Sequence, residues 1–158
     1  MLNGLLLVPL IGAAIIGFWP STLSPKLARQ IALVVAIISF VWSLVLLTEF
    51  NPQDPNLQFV VLFPWIDSLG LSYSLGMDGL SLPLVVLNGL LTAIAIYTTD
   101  KSIKRPRFYY SLILLLALSV FGAFLAQDLL LFFLFYELEL IPLYLLIAIW
   151  GGPKRGYA

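Results

Sequence analysis

Four long stretches of this sequence contain no charged residue, and a fifth contains only two. The uncharged stretches cover residues 2–19, 31–48, 80–99 and 108–126, and the fifth covers 129–150. About 20 apolar residues, rising about 1.5 Å each, cross the roughly 30 Å hydrocarbon layer of a bilayer. The pattern therefore predicts an all-α polytopic membrane protein with five transmembrane helices and the lipid bilayer as its surroundings.

The composition narrows the chemistry that such a chain can perform. Only 10% of the residues are charged and the net charge is zero, so no basic footprint for nucleic acid is expected. Cysteine and histidine are both absent, which excludes disulfides and the usual Cys/His ligands of zinc, iron-sulfur clusters and haem. We therefore expect no cofactor or metal in this chain, and any proton chemistry must use carboxylates, lysines or tyrosines.

The positions of the basic residues predict an orientation. All eight lie between the first and second spans, between the third and fourth, or after the fifth, which five spans place on one side of the membrane. The positive-inside rule then predicts an outer N-terminus and an inner C-terminus. The first apolar run has no basic residue before it and is long for a signal peptide, so a retained helix is favoured over a cleaved signal. The basic residues are Lys26, Arg29, Lys101, Lys104, Arg105, Arg107, Lys154 and Arg155.

The loop between the second and third spans carries a strand-like pattern. Apolar and small polar residues alternate in LSYSL, residues 71–75, and the odd-numbered positions 57–65 are all apolar. These segments predict a short β-hairpin on the outer surface. Asp78, in GMDGLSLP, is favoured as the N-cap of the third helix over a role in proton binding.

The fifth span, which includes FFLFYELELIPLY at 132–144, places Glu137 and Glu139 at membrane depth. An ionisable group there is costly and is tolerated where it faces protein or water, or is neutral. Burial makes a carboxyl harder to ionise and a nearby cation makes it easier, so a glutamate that meets a lysine in only one state is a proton switch.

Two positions on a helix differ by about 200°, so the two glutamates are predicted to face nearly opposite ways and not to form a paired acid/base site. We expect Glu137 to be the proton carrier and Glu139 to face a neighbour, in a proton path or at a subunit interface. Pro142 cannot donate to the Leu138 carbonyl, which predicts a helix break beside the glutamates. A packing kink with structurally paired acids is the alternative.

Several segments together resemble a known family. AQDLLLFFLFYELELIPLYLLIAIWGGPKR and WIDSLGLSYSLGMDGLSLPL are similar to the N-terminal part of the chain 4 subunits of the cyanobacterial and plastid NAD(P)H-quinone oxidoreductase, a complex I-like enzyme. These are antiporter-like subunits, related to the large subunits of multi-subunit cation/proton antiporters. The shared features are the GMDGLS segment, the aromatic-Glu-x-x-x-x-Pro order and the WGG at the exit of the fifth span.

The resemblance implies a proton-translocating membrane-arm subunit, part of a translocase enzyme. These 158 residues would be the N-terminal part of one antiporter-like transmembrane domain, a fragment of a bundle of about fourteen helices that the resemblance implies. Electrons from NAD(P)H or ferredoxin would pass through flavin and iron-sulfur clusters to plastoquinone in other subunits, in the thylakoid membrane. The family's helix-five glutamate falls on Glu137, and its lysine partner on helix seven lies outside this sequence.

Two alternatives from other classes remain open at this point. A monovalent cation/proton antiporter subunit would share the same motif without any redox partner. A purely structural spacer in a membrane arm would carry the two glutamates for stability alone.

Overall fold

Five α-helices and one β-hairpin make up the part of the chain that the computed structural model describes, which is residues 2–18, 24–66, 68, 70–99 and 103–151. The hairpin lies between the second and third helices in chain order. In order, the elements are α1 (Leu2–Phe18), α2 (Pro25–Glu49), β1 (Gln58–Ile66), β2 (Leu71–Met77), α3 (Ser81–Tyr97), α4 (Pro106–Leu125) and α5 (Leu129–Trp150). The predicted number of helices and the predicted hairpin are confirmed.

Helix α2 begins six residues before its predicted start. Ser24 accepts the backbone N–H of Leu27 at 3.1 Å, and Pro25 occupies the first helical position, where its missing N–H costs nothing. Lys26 and Arg29 therefore lie on the first turns of α2, and not in a loop as the apolar run alone suggested. Their long aliphatic stems allow a charged group to stand on a membrane helix near its end.

Three helices are long and apolar enough to cross a bilayer: α2 with 25 residues, α4 with 20 and α5 with 22. Helices α1 and α3 are equally apolar in character but have 17 residues each. At about 1.5 Å per residue they reach about 26 Å, a few ångström less than a typical hydrocarbon layer. The chain is an integral membrane protein, and the count of five spans stays a prediction, as does the orientation. Lys101, Lys154 and Arg155, which helped to predict it, lie outside the described residues.

Helix α4 is the centre of the bundle and contacts each of the other four helices. Half of the residues in an apolar 18-residue stretch of α4 are buried in the protein, compared with 11% in such a stretch of α5. Small residues bring the helices close together: Ala28, Ala32 and Ala36 form one buried stripe on α2. Helix α5 is therefore held by one face only, within the described part of the chain.

The hairpin packs against the end of the bundle where α4 passes into α5. Its strands are antiparallel, with Phe63 opposite Tyr73. The backbone N–H of Ser72 donates to the Asp128 carboxylate at 3.0 Å, and the N–H of Gln127 donates to the Ser74 carbonyl at 2.8 Å. These bonds fix the point at which α5 starts.

Asp78 was predicted as the N-cap of α3, but the residue directly before the helix is Leu80, whose side chain makes no capping bond. Asp78 caps from the start of the turn that leads into α3. Its carboxylate accepts the backbone N–H groups of Leu80 and Ser81 at 3.1 and 2.7 Å. The Ser81 hydroxyl in turn accepts the N–H of Asp78 at 3.0 Å, so the two residues form a reciprocal capping box. The N–H of Asp78 and two N–H groups at the start of the helix, which would otherwise lack partners, are satisfied by this local sequence.

Candidate functional site

Helix α5 carries all three predicted site residues. It runs without interruption from Leu129 to Trp150, with Pro142 buried inside it. The predicted break is therefore corrected to the loss of one hydrogen bond, because the turns on either side of a proline continue the helix. The Leu138 carbonyl still lacks the N–H that residue 142 would normally donate.

Glu137 lies on the outer face of α5. The side chain is exposed, and the described residues that line the concave surface around it all belong to α5, among them Leu134, Ile141 and Tyr144. Ile141 and Tyr144 are 57% and 70% exposed. No other element among the described residues covers this carboxylate, so it stands on an uncovered apolar helix face.

Glu139 lies on the opposite side, in a groove between α3, α4 and α5. The groove has a volume of about 250 Å³, and its walls include Asn88 and Thr92 of α3 and Ala117 of α4. The Glu139 side chain is partly buried. This carboxylate therefore faces the bundle of its own chain.

The opposite orientation of the two glutamates agrees with prediction, but the side assigned to Glu139 was wrong. We expected it to face a neighbour, whereas it faces α3 and α4, and Glu137 is the one that faces outward. The contact of Phe135 with Gly122 explains why this face of α5 is turned toward the bundle. Because Gly122 has no side chain, the Phe135 ring lies directly on α4, and Glu139, one turn later, shares that face.

The groove contains two polar residues that sequence reasoning did not select. The Asn88 side-chain amide donates to the Ala117 carbonyl at 3.2 Å and so joins α3 to α4. The Thr92 hydroxyl donates to the Asn88 carbonyl at 2.8 Å. A signal was present, since Asn88 lies in the middle of an uncharged apolar span, where a polar side chain is uncommon.

The arrangement provides two separate carboxylates and no acid/base pair. Neither glutamate makes a hydrogen bond or an ion pair with a described residue. Glu137 has its carboxyl group on an apolar outer face, and Glu139 has an amide and a hydroxyl in the same groove. Among the described residues, Glu139 has polar neighbours from another helix, and Glu137 does not.

This chain is similar in sequence to curated proteins that are named NAD(P)H-quinone oxidoreductase chain 4. It is 43% identical over 158 residues to NAD(P)H-quinone oxidoreductase chain 4 2 of Microcystis aeruginosa and 41% identical to chain 4 1 of a Nostoc species, and each alignment covers 99% of this chain. The chain spans 28% and 29% of the length of these relatives. The resemblance found in the sequence is confirmed. No protein-family profile matches the chain.

Solved structures with a similar fold come from large membrane complexes. A chain of respiratory complex I from Thermus thermophilus with bound NADH matches 99% of this chain with a TM-score of 0.79 and 24% identity, and 31% of that chain is covered. A chain of the Mrp complex from Dietzia sp. matches 98% with a TM-score of 0.76 and 23% identity, and 16% of it is covered. At these identities the matches establish the fold alone.

Proposed function

We propose that this chain, which matches NAD(P)H-quinone oxidoreductase chain 4 over 99% of its length, is part of a proton-translocating membrane-arm subunit of a complex I-like enzyme. The observation that carries the proposal is the uncovered carboxylate of Glu137 on the apolar outer face of α5. A membrane-depth carboxylate is expensive unless protein or water surrounds it. The relatives are much longer than the part that aligns with this chain, and their further residues can cover this face.

The same similarity supports a proposal for the electron path, the topology and the membrane of the enzyme. Electrons from NAD(P)H or ferredoxin pass through flavin and iron-sulfur clusters in other subunits to plastoquinone, and this subunit moves protons. These residues are the N-terminal part of one antiporter-like transmembrane domain, with five spans, an outer N-terminus and an inner C-terminus. The organisms of the relatives support a cyanobacterial thylakoid membrane.

Glu137 is the proton carrier in this proposal. Its carboxylate takes up one proton from water and returns it to water after a change in its electrostatic surroundings, so that one O–H bond forms and later breaks. A cation approaching the outer face of α5 favours the ionised form, and its departure favours the protonated form. The Leu138 carbonyl, without its donor at Pro142, provides an acceptor for a water molecule beside the carrier.

Glu139 belongs to the proton path and not to a subunit interface. It opens into a groove formed by its own chain, and Asn88 and Thr92 supply polar atoms along the same groove. Water bound by an amide, a hydroxyl and a carboxylate is a chain of groups that can pass a proton. Glu139 would thus exchange protons on the α3 side of α5, while Glu137 does so on the outer side.

The test replaces Glu137 by glutamine in the complete enzyme. Because a glutamine amide binds no proton in the physiological range, we expect proton uptake into vesicles per electron transferred to fall about tenfold or more. Tyr144→Phe, which changes an exposed residue on the same face, is the matched control and leaves translocation unchanged. Normal pumping by an assembled Glu137→Gln enzyme would overturn the proposal.

The antiporter alternative shares the fold. The chain matches the complex I structure and the Mrp complex almost equally, with TM-scores of 0.79 and 0.76, so the fold does not separate the two functions. Purification of the subunit from its native membrane distinguishes them. Hydrophilic iron-sulfur subunits that copurify support the redox enzyme, whereas a sodium-dependent collapse of a pH gradient without such subunits supports the antiporter.

A further inference from the structure

A basic cavity lies at the end of the bundle where α2 and α4 begin. Its volume is about 460 Å³, and it is lined by residues of the first turns of α2 together with Pro106 and Tyr110 of α4. Lys26 and Arg29 are among the lining residues, and none of the described lining residues is acidic. Among the described residues, this concave site between two membrane helices therefore has positive side chains and no negative one.

Arg29 is held in position and still has a donor to offer. Its Nη2 donates to the Tyr97 carbonyl at the end of α3 at 2.7 Å, and its guanidinium carbon lies 5.8 Å from the centre of the Tyr97 ring. The Nε atom is buried and has no hydrogen-bond partner among the described residues. The guanidinium has five N–H donors, so N–H groups other than Nε and the one bound to the Tyr97 carbonyl are left for an acceptor in the cavity.

Both helices present their N-termini at this cavity. Pro25 and Pro106 have no N–H and Ser24 occupies that of Leu27, so these helix ends contribute the partial positive charge of their dipoles and the cationic side chains supply the donors. Helix N-termini with neighbouring cationic side chains favour anionic groups, phosphate above all. The chemical class that fits the cavity is therefore a phosphate group.

The surroundings place the cavity at the membrane surface. At the same end of the bundle, the Trp150 ring lies 5.2 Å from that of Tyr109, and its indole N–H donates to the Lys104 carbonyl at 2.7 Å. Aromatic residues of this kind collect at the boundary between hydrocarbon and headgroups. Below the cavity, α2 exposes an apolar stripe one to three turns after Gln30, formed by Val34, Ile37 and Val41.

We propose that this cavity binds the phosphate headgroup of an anionic membrane lipid, with Lys26 and Arg29 contacting the phosphate and the exposed stripe of α2 contacting the acyl chains. Basic pockets between membrane helices are suited to anionic headgroups because charge and hydrocarbon are recognised together. The apolar stripe is what favours a lipid over free phosphate, which would leave it unused. The site is independent of proton translocation and of Glu137.

The test measures lipid binding by the purified full-length protein in detergent. Phosphatidylglycerol is the anionic probe, phosphatidylcholine is the zwitterionic control, and retained lipid is counted by native mass spectrometry. Removing one cation near a membrane surface weakens binding by about fivefold, so Lys26→Gln should bind phosphatidylglycerol about fivefold more weakly, with phosphatidylcholine unchanged. Lys26→Glu should weaken it further.

Lys104→Gln is the matched control, since Lys104 is an exposed cation at the same end of the bundle that does not line the cavity. It should bind like the parent. Lys26→Glu should fold like the parent, because an acid in the first turn of α2 favours the helix.

Three results would overturn the proposal. The first is equal binding of phosphatidylglycerol by Lys26→Glu and the parent, and the second is an equal loss in Lys104→Gln, which would indicate diffuse charge. The third concerns inorganic phosphate: if excess phosphate displaces the lipid completely and protects the parent against heat to the same extent, the site takes free phosphate and not a lipid.

Discussion

At the scale of single residues, identical side chains two positions apart acquire different surroundings. Glu137 is exposed on a face of α5 that no described element covers, whereas Glu139 shares a groove with Asn88 and Thr92. Helical geometry alone predicts that they point apart. Which of them faces the bundle depends on the contact between Phe135 and Gly122, and a contact between two helices cannot be read from the sequence of one.

Thr92→Val tests whether the polar groups in the groove of Glu139 take part in proton transfer. The change keeps the size of the side chain and removes the hydroxyl from the groove. If water in this groove passes protons, we expect translocation by the complete enzyme to fall severalfold while its assembly stays normal. Thr48→Val serves as the control, because the Thr48 hydroxyl also bonds to its own helix but lies outside the groove. Equal rates for both variants would place the proton path elsewhere.

Asp78 gives the clearest prediction of pH dependence. The hydrogen bond from the Ser81 backbone N–H, the largest of several, holds the pKa of this carboxyl below its usual value of 3.8. A lowered pKa means that the cap stabilises the fold fully above the ordinary carboxyl range and that this stability is lost as pH falls through the folded value. The stability that the cap contributes is therefore lost at pH values below 3.8.

Asp78→Ala should lower the free energy of unfolding by about 1 kcal/mol near neutral pH, the usual cost of losing an N-cap. The measurement is the thermal midpoint of the detergent-purified protein as a function of pH. Asp54→Ala is the control, since Asp54 bonds only within the exposed loop, to the N–H of Asn56. A midpoint for Asp78→Ala that falls with acid as steeply as that of the parent would contradict this assignment.

At the scale of whole elements, glycines set how closely the helices approach. A Cβ atom on Gly89 would lie 3.1 Å from the Cα of Phe40, which is backbone and cannot turn aside. Helices α2 and α3 therefore touch main chain to main chain at this point, as membrane helices do where small residues meet. The sequence showed a glycine in the third span but not the residue it faces.

Gly89→Ala should separate α2 from α3 and lower the free energy of unfolding by about 1–3 kcal/mol, the usual cost of overpacking. The matched control is Gly79→Ala, because a Cβ atom there would have nothing within 4 Å. Thermal midpoints of the two purified variants give the comparison. If Gly89→Ala is no less stable than Gly79→Ala, the close approach of α2 and α3 is not as described.

The sequence predicted the elements better than their contacts. The hairpin and the cap at Asp78 follow from local signals, namely alternation over a few residues and a carboxylate just before an apolar run. The start of α2 was placed too late because Lys26 and Arg29 interrupt the apolar run, although Ser24 and Pro25 carry an ordinary helix-start signal. The bonds from Ser72 to Asp128 and from Gln127 to Ser74 join residues more than 50 positions apart and leave no local signal.

At the scale of the whole molecule, the bundle has two chemically different ends. The hairpin and the start of α3 lie at one end, and the starts of α2 and α4, with their basic residues, lie at the other. Helix α2, with 25 residues at about 1.5 Å each, is about 37 Å long and separates the two ends by more than a hydrocarbon layer. This asymmetry supports the predicted orientation, with the hairpin outside.

The absence of cysteine makes the orientation directly testable, because single cysteines can be introduced into these residues without a background from the same segment. We expect a membrane-impermeant maleimide to label Asp54→Cys from the outer side and Lys104→Cys from the inner side of sealed vesicles of either orientation. Gly79→Cys, at the start of α3, should follow Asp54→Cys, and the unsubstituted full-length protein corrects for cysteines elsewhere. Labelling of Asp54→Cys and Lys104→Cys from the same side would show that α3, the helix between them, does not cross the membrane. The five-span topology, from which the depth of Glu137 is inferred, would then be wrong.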